Sequence, residues 1–460
     1  MRMDPSMSTA PDTTTTTVEL PRATTDGWSS AVTESMTRYA LPGLGAAVAV
    51  RGDLVWSAGF GLADIGRALP VTGDTLFRLA SVTKLVTGTA VLALQDSGEL
   101  SLEDPVSRWV PSFPPSAATI RHLLCHGSGM QRETPNDPGW RTGRFRSDED
   151  FRAAIGESEF PFAPMERWKY SNLGYNTLGE VVEAASGQPY AEFVMEHVIE
   201  PLGMNGTGFY PGTGLRERLA KGYIRIPDQD AVVEDSKGWA ALPAPAGQLF
   251  STAESVVRLG SFLAGDLEKG PLSPGTLEEM RRPQIIADEG WSQGHGLGPM
   301  LVRDASSVLV GHAGGLFGYA AWLLASPKSH VAAVCLTNVG DGAPLLPLVQ
   351  RFISEASEVV PAELPAPAMP PTAEAAELLG RYWGDGEVVS LLWKGGNLVG
   401  QWPLREGLTR GPDMTLERED RDVYRFVDHG PYVGELLRVE RDDYGRVRGF
   451  EVCTYGYRRL

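Results

Sequence analysis

A serine and a lysine three positions apart are the first residues in this sequence whose types and spacing could do covalent chemistry. Ser81 and Lys84 lie in the segment FRLASVTK, residues 77–84, where Ser81 marks the start of a helix predicted over 81–95. Positions i and i+3 share one face of a helix, so the lysine amine can reach the serine oxygen. A serine hydroxyl is a weak nucleophile until a base takes its proton, and a lysine of lowered pKa can be that base. A capping serine followed by a surface lysine has the same letters, so this motif alone leaves a structural interpretation open.

Two later segments carry groups that would complete such a site. Tyr170 and Asn172 follow a lysine, and a phenol can relay protons while an amide can hold a substrate carbonyl or orient the lysine. The segment GHAGG, residues 311–315, follows an apolar run and contains His312. Glycines at the end of a strand let a substrate lie close to the backbone, and the Gly315 N–H can then donate to an oxyanion. Each segment alone is typical of an ordinary turn or loop, but the three in this order predict an active site.

The three segments together resemble the β-lactamase-related serine hydrolases, which include class C β-lactamases, DD-peptidases, D-aminopeptidases, esterases and acyltransferases. The resemblance covers roughly residues 28–338 and extends to IRHLLCHGSGM at 120–130 and PLGM at 201–204. It implies that Ser81 is acylated, with Lys84 as its partner and Tyr170 as general base and acid. It also implies an oxyanion hole formed by the N–H groups of Ser81 and Gly315. The substrate-binding residues implied are Asn172, His312, Gly314 and Gly315.

The third segment departs from the β-lactamase pattern. His312 and Ala313 stand where the resemblance places the lysine and threonine of Lys-Thr-Gly, which help to hold a penicillin carboxylate. We therefore expect a serine hydrolase or acyl-transfer enzyme acting on an ester, amide or peptide, rather than a β-lactamase or DD-peptidase. Transfer of the acyl group to an amine or alcohol, as in a transacylase of specialised metabolism, stays open beside hydrolysis. A non-catalytic sensor on this fold is a further alternative.

Composition narrows the range of partners. The 460 residues carry a net charge of −17, which argues against nucleic acid or an anionic membrane as the main partner. We expect a small-molecule or short-peptide acyl substrate, no cofactor and no metal, while an amine or alcohol acceptor and a homodimer stay open. The Thr-rich first residues have no secretory-signal pattern and no stretch has the length of a membrane span, so the sequence predicts a cytoplasmic protein.

The order of predicted elements indicates an α+β fold. Strands open and close the first domain and helices fill its middle, which predicts an antiparallel sheet flanked by helices with a helical lobe, as in β-lactamases and penicillin-binding proteins. The first helix is expected near 28–40. The predicted divisions are a flexible tail at 1–26, the catalytic domain at 27–358, a Pro-rich linker at 359–373 and a small all-β barrel at 374–460. The barrel resembles the lipocalin-like domain of some relatives and could border the active site or serve stability or dimerisation.

Three further patterns in the sequence could indicate a functional site, but a structural interpretation fits each of them better. Ser292 fits Gly-x-Ser-x-Gly, but that motif needs a strand before it and a helix after it, and its flanks here predict a loop. His122 and His126 have the spacing of zinc ligands on a predicted helix, but the glutamate of His-Glu-x-x-His is missing. We therefore interpret both histidines as structural. The barrel aromatic residues are expected in its core: Tyr382, Trp383, Trp393 and Trp402.

This interpretation predicts that catalysis needs no metal. Overnight treatment with a strong chelator should leave turnover of an ester substrate unchanged, because His122 and His126 are assigned no ligand role. The measurement is the rate before and after chelation, with added zinc as the control. Activity that is lost on chelation and restored by zinc would contradict the prediction.

Overall fold

The chain divides into two compact units, Met1–Val360 and Pro361–Leu460, which are described separately. The structure is a computed structural model. It describes residues 19–133, 148–225, 232–234, 245–267, 269–304, 307–316, 318–340, 342, 344–359, 370–384, 387–394, 396–403, 410–428 and 431–460.

The first helix begins earlier than the sequence predicted. It starts at Arg22, so the expectation of a flexible tail reaching residue 26 is wrong for its last residues, and residues 1–18 lie outside the described part. Its Trp28 is completely buried, and this packing favours helix on its N-terminal side. The helices of this unit are α1 Arg22–Tyr39, α2 Thr83–Asp96, α3 Ile120–Leu124, α4 Asp148–Gly156, α5 Asn172–Ser186, α6 Tyr190–Val194, α7 Thr213–Arg216, α8 Ala253–Ala264, α9 Pro274–Arg281 and α10 Leu345–Val359.

Strands of the first unit form a nine-stranded sheet in the order β3-β2-β1-β13-β12-β11-β10-β9-β8, with every neighbouring pair antiparallel. Two small two-stranded sheets, β4-β7 and β5-β6, accompany it. The strands are β1 Gly43–Val50, β2 Asp53–Asp64, β3 Leu69–Pro70, β4 Phe77–Arg78, β5 Tyr223–Arg225, β6 Val232–Glu234, β7 Phe250–Ser251, β8 Ile285–Ile286, β9 Gln293–His295, β10 Met300–Asp304, β11 Ser307–Leu316, β12 Tyr319–Ser326 and β13 Val331–Thr337.

Helices cover both faces of the sheet, so the predicted α+β architecture is confirmed. Side chains alternate across a strand, and β1 shows the consequence because all its residues are buried. Leu44 and Val48 pack into a core with Trp28 and Phe352 of α1 and α10, whereas Ala47 packs into the core on the opposite face, which includes α2, α5 and α8. The sheet is therefore a buried, rigid platform for whatever its edges and flanking helices carry.

The segment around Ser81 differs from the predicted helix start. Ala80–Val82 form a short 3-10 turn, and α2 begins only at Thr83 with no side-chain cap. The Ser81 hydroxyl is therefore not used as a helix cap. Strand β11 runs beside this turn and continues to Leu316, well beyond the predicted strand end at Gly311. The approach is so close that a Cβ on Gly314 would lie 2.2 Å from the backbone oxygen of Leu79.

The second unit is a closed barrel in which eight antiparallel strands follow one another in chain order, as predicted. This up-and-down closure is also the lipocalin architecture. Tyr382 and Trp402 lie in its core, but Trp383 is 53% exposed, so its predicted core position is wrong. The cause is the two-residue period of a strand, which turns neighbouring side chains to opposite faces. The elements are α11 Ala373–Leu378, β14 Gly380–Gly384, β15 Glu387–Lys394, β16 Asn397–Pro403, β17 Arg410–Asp420, β18 Val423–Phe426, β19 Leu436–Arg441, β20 Val447–Val452 and β21 Tyr455–Arg459.

The close approach of β11 to the Ser81 turn gives a stability prediction. Gly314→Ala should destabilise the protein by about 1–3 kcal/mol, because the new Cβ meets backbone that cannot rotate away. Gly315→Ala is the matched control for stability, since its Cβ would have nothing within 4 Å. The measurement is thermal or denaturant unfolding of both variants. Equal melting of Gly314→Ala and Gly315→Ala would contradict the packing described here.

Candidate active site

Ser81 and Lys84 meet where the 3-10 turn joins α2. Lys84 Nζ lies 3.1 Å from Ser81 Oγ, and the lysine side chain is completely buried. The amine also donates hydrogen bonds to Asn172 Oδ1 at 2.7 Å and to the carbonyl oxygen of Ala246 at 2.6 Å. A neutral amine has two hydrogens and one lone pair, and these two acceptors take both hydrogens. The lone pair is left to accept the proton of the Ser81 hydroxyl.

The protonation state of Lys84 is set mainly by burial. Loss of hydration disfavours the ammonium form and holds the pKa of Lys84 well below its ordinary value. The carboxylate of Glu133 raises this pKa, while the guanidinium of Arg132 lowers it further. The site therefore favours the neutral amine, which is the form that can act as a base.

Tyr170 joins Ser81 and Lys84 to form a group of three. Its hydroxyl is hydrogen-bonded with Ser81, and its ring centroid lies 5.0 Å from Lys84 Nζ. Burial raises the pKa of Tyr170 to about 12, although the hydrogen bond with Ser81 and the charge of Arg132 act in the opposite direction. At neutral pH the phenol keeps its proton, so in the resting site Tyr170 is a proton donor rather than a base.

Asn172 is held in place by the start of α5. The preceding Ser171 caps this helix, its Oγ accepting a hydrogen bond from the Gly174 N–H at 2.9 Å. Asn172 Oδ1 thereby faces Lys84, and Asn172 Nδ2 donates to Glu133 Oε1 at 2.6 Å. The hydrogen bond to Oδ1 lets the amide orient the lysine, as the sequence allowed, and Asn172 also lines the cavity beside Ser81.

The third predicted segment contributes backbone rather than a charged side chain. Gly315 lines a cavity of about 100 Å³ together with Ser81 and Asn172, whereas His312 is only 1% exposed and lies behind it. The His312 ring centroid is 6.2 Å from that of Tyr170. Burial, with Lys84 as the second cause, lowers the pKa of His312 to about 3, so this imidazole is neutral. Gly314 provides the close approach to the Ser81 turn described above.

Sequence reasoning missed several residues that belong to this site. Arg132 and Glu133 line the same cavity as Ser81, and the carbonyl oxygen of Ala246 binds the lysine. No local spacing marks these residues, because Lys84 and Ala246 are 162 positions apart and meet only in the folded chain. A charged pair at 132–133 is indistinguishable in sequence from ordinary surface residues.

Three buried histidines lie around Tyr170, and each of them is neutral. The His126 ring lies 4.3 Å from the Tyr170 ring and 4.9 Å from the His295 ring, and the His295 and His312 rings are 6.1 Å apart. His126 Nδ1 accepts a hydrogen bond from the Ser171 N–H at 3.1 Å, which fixes its orientation. Burial holds the pKa of His126 and His295 well below the ordinary histidine value.

The structure does not form the two alternative sites, the Ser292 nucleophile and the His122–His126 zinc pair. Ser292 is exposed and its Oγ donates to Asp288 at 2.7 Å, in a turn that leads into β9 rather than a helix. Helix α3 ends at Leu124, so His126 lies beyond it, and the prediction of His122 and His126 on one helix is wrong. His122 Nδ1 instead accepts a hydrogen bond from the Thr119 N–H at 3.0 Å. Within the described ranges, no group of three or more histidine, cysteine, aspartate or glutamate residues is placed to hold a metal ion.

None of the helices in the described part of the chain combines the length and apolar character that crossing a membrane requires.

Comparison with known families matches both units. Residues 28–358 match the family described as Beta-lactamase. Residues 371–459 match a domain of unknown function, DUF7586. The first match contains the Ser81, Lys84, Tyr170 and Gly315 positions, and the second contains the barrel.

Individual relatives have several activities in their names. A penicillin-binding protein of Bacillus subtilis strain 168 is 37% identical over 184 residues, which cover 38% of this chain and 40% of that relative. Esterase EstB of Burkholderia gladioli is 32% identical over 368 residues, which cover 68% of this chain and 90% of the esterase. The solved structure of D-amino acid amidase from Ochrobactrum anthropi SV3 with L-phenylalanine is 27% identical, covers 73% of this chain and 99% of the amidase chain, and has a TM-score of 0.63.

The geometry predicts that Lys84 must be able to lose its proton. Lys84→Arg and Lys84→Ala should each lower kcat/KM by about a hundredfold or more, because an arginine stays protonated at working pH. Wild-type kcat/KM should rise with pH as the ammonium passes through its lowered pKa to the neutral amine. Lys328→Arg, at an exposed lysine, is the control and should keep full activity. Near-normal turnover by Lys84→Arg would show that the lysine is not the base.

Proposed function

The chain belongs to the Beta-lactamase family of serine hydrolases, and from this premise we propose that it hydrolyses an ester or amide through an acyl group carried on Ser81. The observation that supports this most directly is the 3.1 Å contact between Lys84 Nζ and Ser81 Oγ, made by an amine whose two hydrogens have other acceptors. A base so placed can activate a hydroxyl that is otherwise a weak nucleophile.

Acylation begins with transfer of the Ser81 proton to Lys84 Nζ while Ser81 Oγ attacks the substrate carbonyl. Ser81 and Gly315 line one cavity, and their N–H groups would donate to the resulting oxyanion. The phenol of Tyr170 gives its proton to the leaving group as the carbonyl bond to that group breaks. The Lys84 ammonium then returns a proton to the Tyr170 oxygen, so both residues regain their resting forms.

Deacylation repeats these steps with a new nucleophile. Water gives its proton to the restored Lys84 amine as its oxygen attacks the acyl carbonyl, and a proton returned through Tyr170 releases Ser81 Oγ. An amine or alcohol in the place of water would give acyl transfer by the same steps. Hydrolysis is the activity we propose, because the similar proteins include one named an esterase and one named an amidase.

The substrate class is inferred from the side chain at position 312. His312 is neutral, since burial lowers its pKa to about 3, so it offers no cation to a penicillin carboxylate. We therefore propose a small ester or amide substrate, with slow or no turnover of β-lactams. The names of the esterase and the amidase support this class.

The proposed function predicts where a covalent label attaches. A fluorophosphonate should add one phosphonyl group to the peptide that contains Ser81, because this hydroxyl has Lys84 beside it. Ser81→Ala should lose both labelling and ester turnover, whereas Ser292→Ala should keep both. Peptide mass spectrometry and a rate assay with and without added amine give the labelled site and the product ratio. Labelling of Ser292 in the Ser81→Ala protein, with turnover retained, would overturn the assignment.

A further inference from the structure

Tyr170 has a second basic neighbour besides Lys84. The guanidinium carbon of Arg132 lies 5.0 Å from the centroid of the Tyr170 ring, the same distance as Lys84 Nζ. A cation over the face of an aromatic ring is attracted to it, and an opposite charge within about 4–6 Å favours the ionised form of an acid. Arg132 is therefore close enough to attract negative charge on the phenol oxygen of Tyr170.

The backbone of Arg132 is tied to the active site itself. Its carbonyl oxygen accepts hydrogen bonds from the N–H groups of Asn172 and Leu173 at 3.0 and 3.1 Å. These are the first residues of α5, directly after the Tyr170 segment. The Arg132 side chain is 60% exposed and lines the cavity, with Nε 3.8 Å from Glu133 Oε1. The backbone of Arg132 is thus anchored to the start of α5, beside the segment that carries Tyr170.

We propose that Arg132 is a positioning residue that stabilises the anionic form of Tyr170 at the moment when the phenol protonates the leaving group. This inference rests on the proposed function. In that step the Tyr170 O–H bond breaks, the proton joins the departing nitrogen or oxygen, and the electron pair stays on the phenol oxygen. The anion lasts until the Lys84 ammonium returns a proton.

The surroundings of Tyr170 explain why such a cation matters. Burial raises the pKa of Tyr170 to about 12, and the carboxylate of Glu133 raises it as well. His126, His295 and His312 are all neutral because burial lowers each imidazole pKa. The charge of Arg132 acts in the opposite direction and lowers the pKa of Tyr170.

The test compares two substrates that share one acyl group and differ in leaving group. An alkyl amide needs a proton on its departing nitrogen, whereas a p-nitrophenyl ester departs as a stable anion. Arg132→Gln should lower kcat/KM for the amide by about tenfold or more and for the ester by less than about threefold. Arg132→Lys, which keeps the charge, should restore most of the amide rate.

Arg167→Gln is the matched control. Arg167 is 61% exposed and its guanidinium carbon lies 4.5 Å from the Phe162 ring centroid, so it is also an arginine over an aromatic face. This variant should leave both rates unchanged. Raising the salt concentration should reduce the amide rate of the wild type towards that of Arg132→Gln, because a partly exposed charge is screened.

Two outcomes would count against the proposal, and they are separable from failure of the proposed function. Equal losses on the amide and the ester in Arg132→Gln, or no rescue by Arg132→Lys, would mean that Arg132 has only a structural role or contacts the substrate directly. Fluorophosphonate labelling of Ser81 in every variant reports the nucleophile independently of Arg132. Absence of this label from the wild-type protein would instead refute the acyl-Ser81 function.

Discussion

The active site depends on two hydrogen bonds that the buried Lys84 amine donates, one to Asn172 Oδ1 and one to the carbonyl oxygen of Ala246. An amine in this position loses its hydration, and a charged ammonium would be costly there. The two acceptors let the neutral form satisfy both hydrogens while its lone pair faces Ser81. If either acceptor were missing, one N–H group of the buried amine would lack a partner and the lone pair would no longer be held toward Ser81. The reactivity of Ser81 thus depends on the hydrogen bonds that hold the Lys84 amine beside it.

The rest of the first unit can be understood as the support for this arrangement. Helix α2 carries Lys84, the capped start of α5 carries Asn172, and the central sheet brings β11 so close to the Ser81 turn that only glycine fits at 314. Neutral histidines surround Tyr170 and add no further positive charge to that of Arg132. The charged side chains of Arg132 and Glu133 lie at the cavity wall, where contact with solvent reduces the free-energy cost of their charges.

Sequence alone predicted the fold better than the local geometry. The α+β fold, the barrel and the choice of candidate residues followed from periodicity, spacing and resemblance. The 3-10 turn at Ser81, the continuation of β11 to Leu316 and the exposure of Trp383 did not, because each is decided by tertiary packing rather than by propensity. Arg132 could not be found either, since only the folded chain brings its side chain over Tyr170.

Direct titration of Lys84 would test the central claim most sharply. The chain has seven lysines, so nuclear magnetic resonance of protein labelled at the lysine side chains can follow each amine, with Lys84→Ala assigning one signal. We predict that the Lys84 signal titrates well below the ordinary range of a lysine amine, because burial lowers its pKa. Titration of Lys84 within that ordinary range would contradict the prediction, because an ammonium at working pH has no lone pair with which to take the proton of Ser81.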